Sequence, residues 1–251
     1  MLSLGQIKYL NSLQINKYRK IHQEFIAEGN KIVIDLLQAD FEVKEIFATT
    51  GWLEINNSRY QQKNIRVTEV TEKDLKKISG LTNANEVFAV VKMPPRNPDL
   101  QAISGKLTLM LDDIRDPGNL GTIIRTADWF GISSIICSHE SVDVYNPKVV
   151  QATMGSIARV RVYYADLKDV LKNLSPDTKV YGTFMDGEDL SKKRLLDKGI
   201  IIIGNESKGI STELSPLINE RIGIRAFEKG KSESLNAAVA CSIILYEFRR
   251  K

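Results

Sequence analysis

Apolar residues keep two different rhythms along this chain. From Leu107 onward, runs that are apolar at nearly every position recur: LTLML, SSIICS, VRVYY, VYGTFM, IIIIG and IGIRA. Between most of them lie segments of helical period, among them NPKVVQATMGSIA and DLKDVLKNL. Runs of this kind predict strands buried on both faces, and their alternation with helices predicts an α/β fold: a mainly parallel sheet with helices on both faces. The first part of the chain is more mixed. After a helical opening, FIAEGNKIVIDLLQA carries apolar residues at Ile32, Val33, Leu36 and Leu37 and predicts a helix. VKEIFATT predicts a strand, VTEVTEKDLKKISG a strand and short helix, and VFAVVKM another strand, which together make a small α/β domain.

KMPPRNPDL, Lys92 to Leu100, holds three of the seven prolines and interrupts both helix and sheet ladders. It divides the chain into a domain over 1–95, a linker over 96–105 and a second domain over 106–251. Length and composition agree: 251 residues with 43% hydrophobic and 26% charged residues exclude a disordered or fibrous chain. A net charge of +4 permits a polyanionic partner, and its distribution is more telling, since Lys8, Lys17, Arg19 and Lys20 all precede the first acidic residue, Glu24. Cys137 and Cys241 sit in apolar runs, as buried thiols of a reducing compartment do. Nothing approaches the roughly 18 apolar residues of a membrane span, and lysines interrupt the opening where a signal peptide needs an apolar core, so a cytoplasmic protein is expected.

Three stretches carry candidate chemistry. DPGNLGTIIRTADWFG follows a strand and opens a helix, yet it is neither a P-loop nor a G-x-G-x-x-G fingerprint. With the helix starting near Asn119, its apolar stripe is Leu120, Ile123, Ile124, Ala127 and Phe130, which leaves Arg125 on the opposite side, facing water or a polar ligand. Asn119 also suits a helix N-cap. GIIIIGNESKGIS is an apolar strand ending in Gly204, Asn205, Glu206 and Gly209, at the carboxyl end where open parallel sheets bind ligands. SESLNAAVACSIILYEFRRK reads as a helix capped by Ser234 and apolar on almost every side, which calls for a second covering surface and points to a homodimer.

LDDIRDPGNLGTIIRTADWFG, IIIIGNESKGIS and SESLNAAVA, in this order, resemble the three motifs of the SpoU (TrmH) family of RNA ribose 2'-O-methyltransferases. The likeness extends through DVYNPKVVQATMGSIARV and covers Leu107 to Lys251, while IKYLNSLQINKYRK and FIAEGNKIVIDLL are similar to the substrate-binding domain that many members place first. The resemblance implies an S-adenosylmethionine enzyme with a C-terminal trefoil knot, working as a homodimer on structured RNA, ribosomal rather than transfer RNA, without a metal. It assigns Arg125 as the catalytic arginine with Asn119, Glu206, Asn236 and Ser234 around it. Thr183, Gly204, Asn205, Ile224 and Leu235 are assigned to the cofactor, and Lys8, Lys17, Arg19, Lys20 and Lys31 to RNA phosphates. Ser207 and Lys208 stand where small or acidic residues are common, and Gln151 where arginine is frequent. The rival readings are a transfer-RNA ribose methyltransferase and a non-catalytic RNA-binding or ribosome-assembly protein on the same fold.

Overall fold

The computed structural model describes residues 1–61, 63, 65–94, 105–227 and 234–250. The first elements are α1 (Leu4–Ser12), α2 (Asn16–His22), β1 (Glu24–Glu28), α3 (Asn30–Gln38), β2 (Val43–Ala48), α4 (Thr50–Tyr60), β3 (Arg66–Glu69), α5 (Glu72–Ile78) and β4 (Val87–Lys92). There follow β5 (Leu107–Leu111), α6 (Pro117–Trp129), β6 (Ser134–Cys137), α7 (Pro147–Ala152), β7 (Arg161–Tyr164), α8 (Leu167–Lys172), β8 (Val180–Asp189), β9 (Gly199–Ile203), β10 (Glu220–Gly223) and α9 (Ala237–Arg249). The chain divides into two compact units, Met1–Pro95 with Asp143–Arg159, and Arg96–Val142 with Val160–Lys251. Of the linker expected over 96–105, all but Gly105 lies outside the described residues.

In the first unit a four-stranded sheet runs in the order β1-β4-β2-β3, antiparallel except for the β2–β3 pair. Alternate strand residues Ile26, Phe47, Phe88 and Val90 share one core with Leu10 and Leu13 and with Leu75 and Ile78 of α5. Two elements differ from the periodicity. FIAE, read above as the start of a helix, is strand β1 with every residue buried, because Gly29 at φ 99° breaks the run and α3 begins only at Asn30. Helix α4 was not announced by the sequence pattern: it buries only Trp52 and Asn56, so it has no apolar stripe to read, and its start is set by Thr49, whose side chain accepts from the Trp52 amide.

Asp143–Arg159, expected within the second domain, belongs to the first unit. Helix α7 packs on β1, and the Tyr145 ring lies 4.6 Å from that of Phe25. An ion pair fastens each end of the segment. At its start, Asp143 Oδ2 accepts from Arg19 Nη2 at 2.7 Å and Nε at 3.1 Å. At its end, Arg159 lies 2.7 Å from Asp35, which also holds Lys31 at 2.8 Å. Gly155, at φ 95°, lets the turn pass over Asp35, since a Cβ there would meet Oδ2 at 2.3 Å.

Arg19 therefore cannot serve as the RNA contact expected of it. Its side chain is 2% exposed, and Nη1 donates to the carbonyls of Leu13 at 3.0 Å and Gln14 at 2.8 Å. A guanidinium so enclosed orders the α1–α2 turn. Lys8, Lys17 and Lys20 are exposed, and Lys31 is exposed but paired with Asp35.

The second unit is a six-stranded, wholly parallel sheet in the order β10-β8-β9-β5-β6-β7. Every residue of β5, β6 and β9 is buried, as strands covered on both faces require. Met110, Ile136, Ile200 and Ile202 face α8 through Leu167, Val170 and Leu171. On the other face, Phe248 of α9 meets Tyr181 edge-on with ring centres 4.9 Å apart, and Tyr181 is in register with Ile201. The α/β sandwich expected from the apolar runs is present. Among the described residues, no helix is long and apolar enough to cross a membrane.

Two stability measurements check the fastening of the first unit. Asp143→Asn leaves the buried Arg19 without its counter-charge and is expected to lower unfolding free energy by about 3 kcal/mol in a urea titration. Burial works to raise the Asp35 carboxyl, but Arg159 and Lys31 outweigh it and hold it below the usual value of 3.8. Its contribution is therefore complete above that value and is lost as pH falls through the lowered one. The stability gap between wild type and Asp35→Asn should close on acidification below about pH 4.

Candidate active site

The site is built where two neighbouring parallel strands end. Leu111 of β5 is in register with Ile203 of β9, and the ladder runs one residue further as the Asp112 amide donates to Ile203 O at 2.9 Å. The loops that follow therefore leave the sheet side by side. From β5 the chain enters α6, with Pro117 in the first turn and Asp116 as its cap, accepting from the Asn119 amide at 2.8 Å. Capping thus falls to Asp116, and the Asn119 side chain is free for other contacts.

Those contacts join the three motifs. Asn119 Nδ2 donates to Glu206 Oε1 in a short hydrogen bond, and Asn119 Oδ1 accepts from Asn236 Nδ2 at 2.9 Å. Asn236 in turn caps α9, its Oδ1 accepting from the amides of Ala238 at 3.0 Å and Val239 at 3.3 Å. Ser234, expected in that role, is exposed two residues upstream. Because Asn236 is fixed by capping and Asn119 by its helix turn, Glu206 is held at one oxygen while the other makes no hydrogen bond among the described residues.

The Glu206 loop is a tight hairpin. Asn205 and Gly209 exchange both backbone hydrogen bonds, at 3.0 and 2.9 Å. Asn205 Oδ1 accepts from the amides of Ser207 at 2.9 Å and Lys208 at 3.1 Å, and its Nδ2 donates to Asp113 O at 2.9 Å. The Asn205 side chain thus braces the loop. A second brace is Asp112, 5% exposed, whose Oδ2 accepts from the Ser211 amide at 2.7 Å. The sequence reading missed both aspartates; the signal was two consecutive acids directly after a buried strand. Gly204 is required by sterics: a Cβ would meet the Gly209 carbonyl carbon at 2.3 Å and the Ile210 nitrogen at 2.4 Å.

Arg125, Thr183, Ile224 and Leu235 make no side-chain hydrogen bond to this cluster among the described residues. Arg125 lies six residues beyond Asn119, about 240° round the helix, and is exposed with no hydrogen bond or ion pair among the described residues. Thr183 spends its hydroxyl on Ile202 O at 2.9 Å. Ile224 lines a cleft of about 650 Å³ with Asp189, Leu190, Phe227, Ile243 and Glu247. Helix α9 buries Ala237, Ala238, Cys241, Ile244, Leu245 and Phe248 but exposes Val239, Ile243 and Tyr246, with Leu235 just before it. Both cysteines are free and buried, and burial pushes the Cys241 thiol up to about 12 and Cys137 higher still, so both stay protonated. Among the described residues, no group of three or more His, Cys, Asp or Glu is placed to hold a metal ion.

Comparison with known proteins bears on this arrangement. Residues 106–246 match the model of the SpoU rRNA methylase family, and residues 5–89 that of the MRM3-like substrate-binding domain. A 23S rRNA guanosine 2'-O-methyltransferase of Bacillus subtilis is 26% identical over 256 residues, covering 98% of this chain and 100% of that protein. A TrmH-family protein from Porphyromonas gingivalis superposes with a TM-score of 0.89 at 38% identity over 100% of this chain and 99% of its own. An rRNA methyltransferase of Sinorhizobium meliloti, solved with S-adenosylmethionine bound, gives a TM-score of 0.88 at 32% identity over 100% and 97% of the two chains. With its three motifs joined through Glu206, Asn119 and Asn236, and with more than half its length matched by the family model, this chain belongs to the SpoU rRNA methylase family of RNA methyltransferases.

Proposed function

We propose that this protein transfers a methyl group from S-adenosylmethionine to the 2'-hydroxyl of a ribose in structured ribosomal RNA, in the cytoplasm. The observation that carries the reading is the hydrogen-bond chain Glu206–Asn119–Asn236, which draws three distant stretches of sequence to one point at the carboxyl ends of β5 and β9. The Bacillus subtilis relative, similar along its whole length, acts on 23S rRNA, which favours ribosomal over transfer RNA. A non-catalytic descendant has no need of a glutamate held at one oxygen with the other unbonded.

The residues present fit the cofactor. The cleft at Ile224 has a volume within the range of small-molecule sites and apolar walls from Leu190, Phe227 and Ile243 suited to a flat base, with Asp189, Arg225 and Glu247 at its polar edge. The main chain at Gly204 and Leu235, with Thr183, would complete its binding. When bound, the cofactor supplies an electrophilic methyl group on a positively charged sulfur.

The rest falls to the chain's own side chains. A ribose hydroxyl is a weak nucleophile, so catalysis depends on holding its oxygen in line and stabilising the charge that grows there as its proton leaves. Arg125 serves as the cation that binds phosphate and stabilises the alkoxide. Glu206, set by Asn119 and Asn236, presents its unbonded oxygen to orient the arginine or the sugar.

Arg125 makes no hydrogen bond to the Glu206 cluster among the described residues, which supports a homodimer whose twin completes the site. The exposed stripe of Leu235, Val239, Ile243 and Tyr246 supports it further. We infer the trefoil knot from family membership. The first unit captures RNA, with Lys8, Lys17 and Lys20 against phosphates, in keeping with the substrate-binding model that matches it.

Two sets of measurements check this. Mapping 2'-O-methyl groups in RNA from cells with and without the gene should show one ribosomal ribose methylation lost, regained with wild type and not with Arg125→Ala; rescue by that variant would refute the arginine's role. In purified form, Arg125→Ala should lower kcat by about a hundredfold or more. The second concerns Gly204→Ala, which forces the 205–209 hairpin away from Asp112 and Asp113. It should remove methyl transfer and cofactor binding together, while circular dichroism shows the fold retained.

A further inference from the structure

Outside the groups already assigned, one carboxylate gathers two cations from two different motifs. Asp113 follows β5 in the left-handed conformation, at φ 57°, which a non-glycine residue adopts at some cost. Its backbone is pinned on both sides, the amide by Ser138 Oγ at 3.0 Å and the carbonyl by Asn205 Nδ2 at 2.9 Å. Its side chain, 14% exposed, takes Arg115 Nε at 2.6 Å on one oxygen and faces Lys208 Nζ at 3.7 Å on the other.

The cations themselves are open to solvent, Arg115 at 62% and Lys208 at 71% exposure. Such exposed pairs contribute little to stability, so stability does not explain why backbone strain is tolerated here. Their geometry has another use. Asp113 engages Arg115 only through Nε, and both terminal nitrogens make no hydrogen bond among the described residues. A guanidinium steadied from behind, with its outer fork free, is pre-oriented for two-point contact with a phosphate.

Placement agrees. Arg115 immediately precedes Asp116, the cap that sets Asn119, and Lys208 lies two residues beyond Glu206 in the same braced hairpin. Asp113 lies between the two cations and Glu140 also acts on Arg115, so what the spot offers is a guanidinium fork fixed at the edge of the site and not an excess of charge.

We propose that Arg115 and Lys208 form a phosphate clamp, aligned by Asp113, that grips the RNA backbone beside the reacting ribose. This rests on the RNA-methylating reading above. The clamp positions substrate and takes no part in methyl transfer, so its signature is a split between KM and kcat together with a change in salt dependence.

The test uses full-length protein and 23S ribosomal RNA transcribed in vitro, with filter binding and labelled-methyl transfer measured across a potassium chloride series. Arg115→Gln and Lys208→Gln should each raise the Kd and KM for this RNA about tenfold. Each should also lower the slope of log affinity against log salt by about 0.7–0.9, the share of one phosphate contact. Lys208→Arg should restore the slope. Affinity for S-adenosylmethionine, melting temperature and kcat at saturating RNA should change less than about twofold. An unchanged slope, or a loss confined to kcat or to cofactor binding, would overturn the clamp. Failure of the wild type to methylate any RNA would count against the enzymatic reading alone, and the binding slopes would still decide the clamp.

Discussion

Parallel pairing of β5 with β9 is the constraint on which the site depends. These strands are far apart in sequence, yet their last residues, Leu111 and Ile203, lie in register at the same edge of the sheet. Every side chain of both is buried, so a slip by one residue would exchange the two packed faces, and the register has little freedom. With it set, the loops that follow meet without further adjustment. Asp112 and Asp113 reach across to the 205–211 loop, and Glu206 arrives beside Asn119. The apolar core thus determines where three polar side chains converge.

Polar groups in this region are layered by function. Asp112 and Asn205 bond mainly to backbone and hold loops in shape. Asn119 and Asn236 set direction through side-chain bonds, with Asn236 also capping its helix, and Glu206 keeps one oxygen without a hydrogen bond among the described residues. A half-buried carboxylate is costly unless hydrogen-bonded, so a single strong donor makes its placement tolerable while leaving capacity for a ligand. Arg125 is placed differently, exposed on a helix face with no hydrogen bond or ion pair among the described residues.

Much of this was legible in the sequence because the signals were local. The runs LTLML and IIIIG announced buried parallel strands, and the three motifs pointed to Asn119, Glu206 and Asn236 together. What escaped depended on contacts between distant residues. Arg19 read as one of several surface cations, and only Asp143, far along the chain, makes it a buried structural group. Asn205 carried a binding residue's context, and only the distant Asp113 O shows that its side-chain amide also braces the loop. Helix α4 lacks an apolar stripe, and strand β1 merges with the helix after it in any window that ignores Gly29.

The Asp143–Arg159 excursion makes the first unit discontinuous in the gene. The polypeptide passes from one unit to the other three times, so no single cut separates them. An N-terminal fragment ending near residue 95 would expose the Phe25 surface that Tyr145 covers and strand a guanidinium in the interior. Swapping that fragment with a relative's would transplant half of two ion pairs. Recombination is therefore confined to partners whose middle segment carries matching charges, and the two segments of the first unit must drift together.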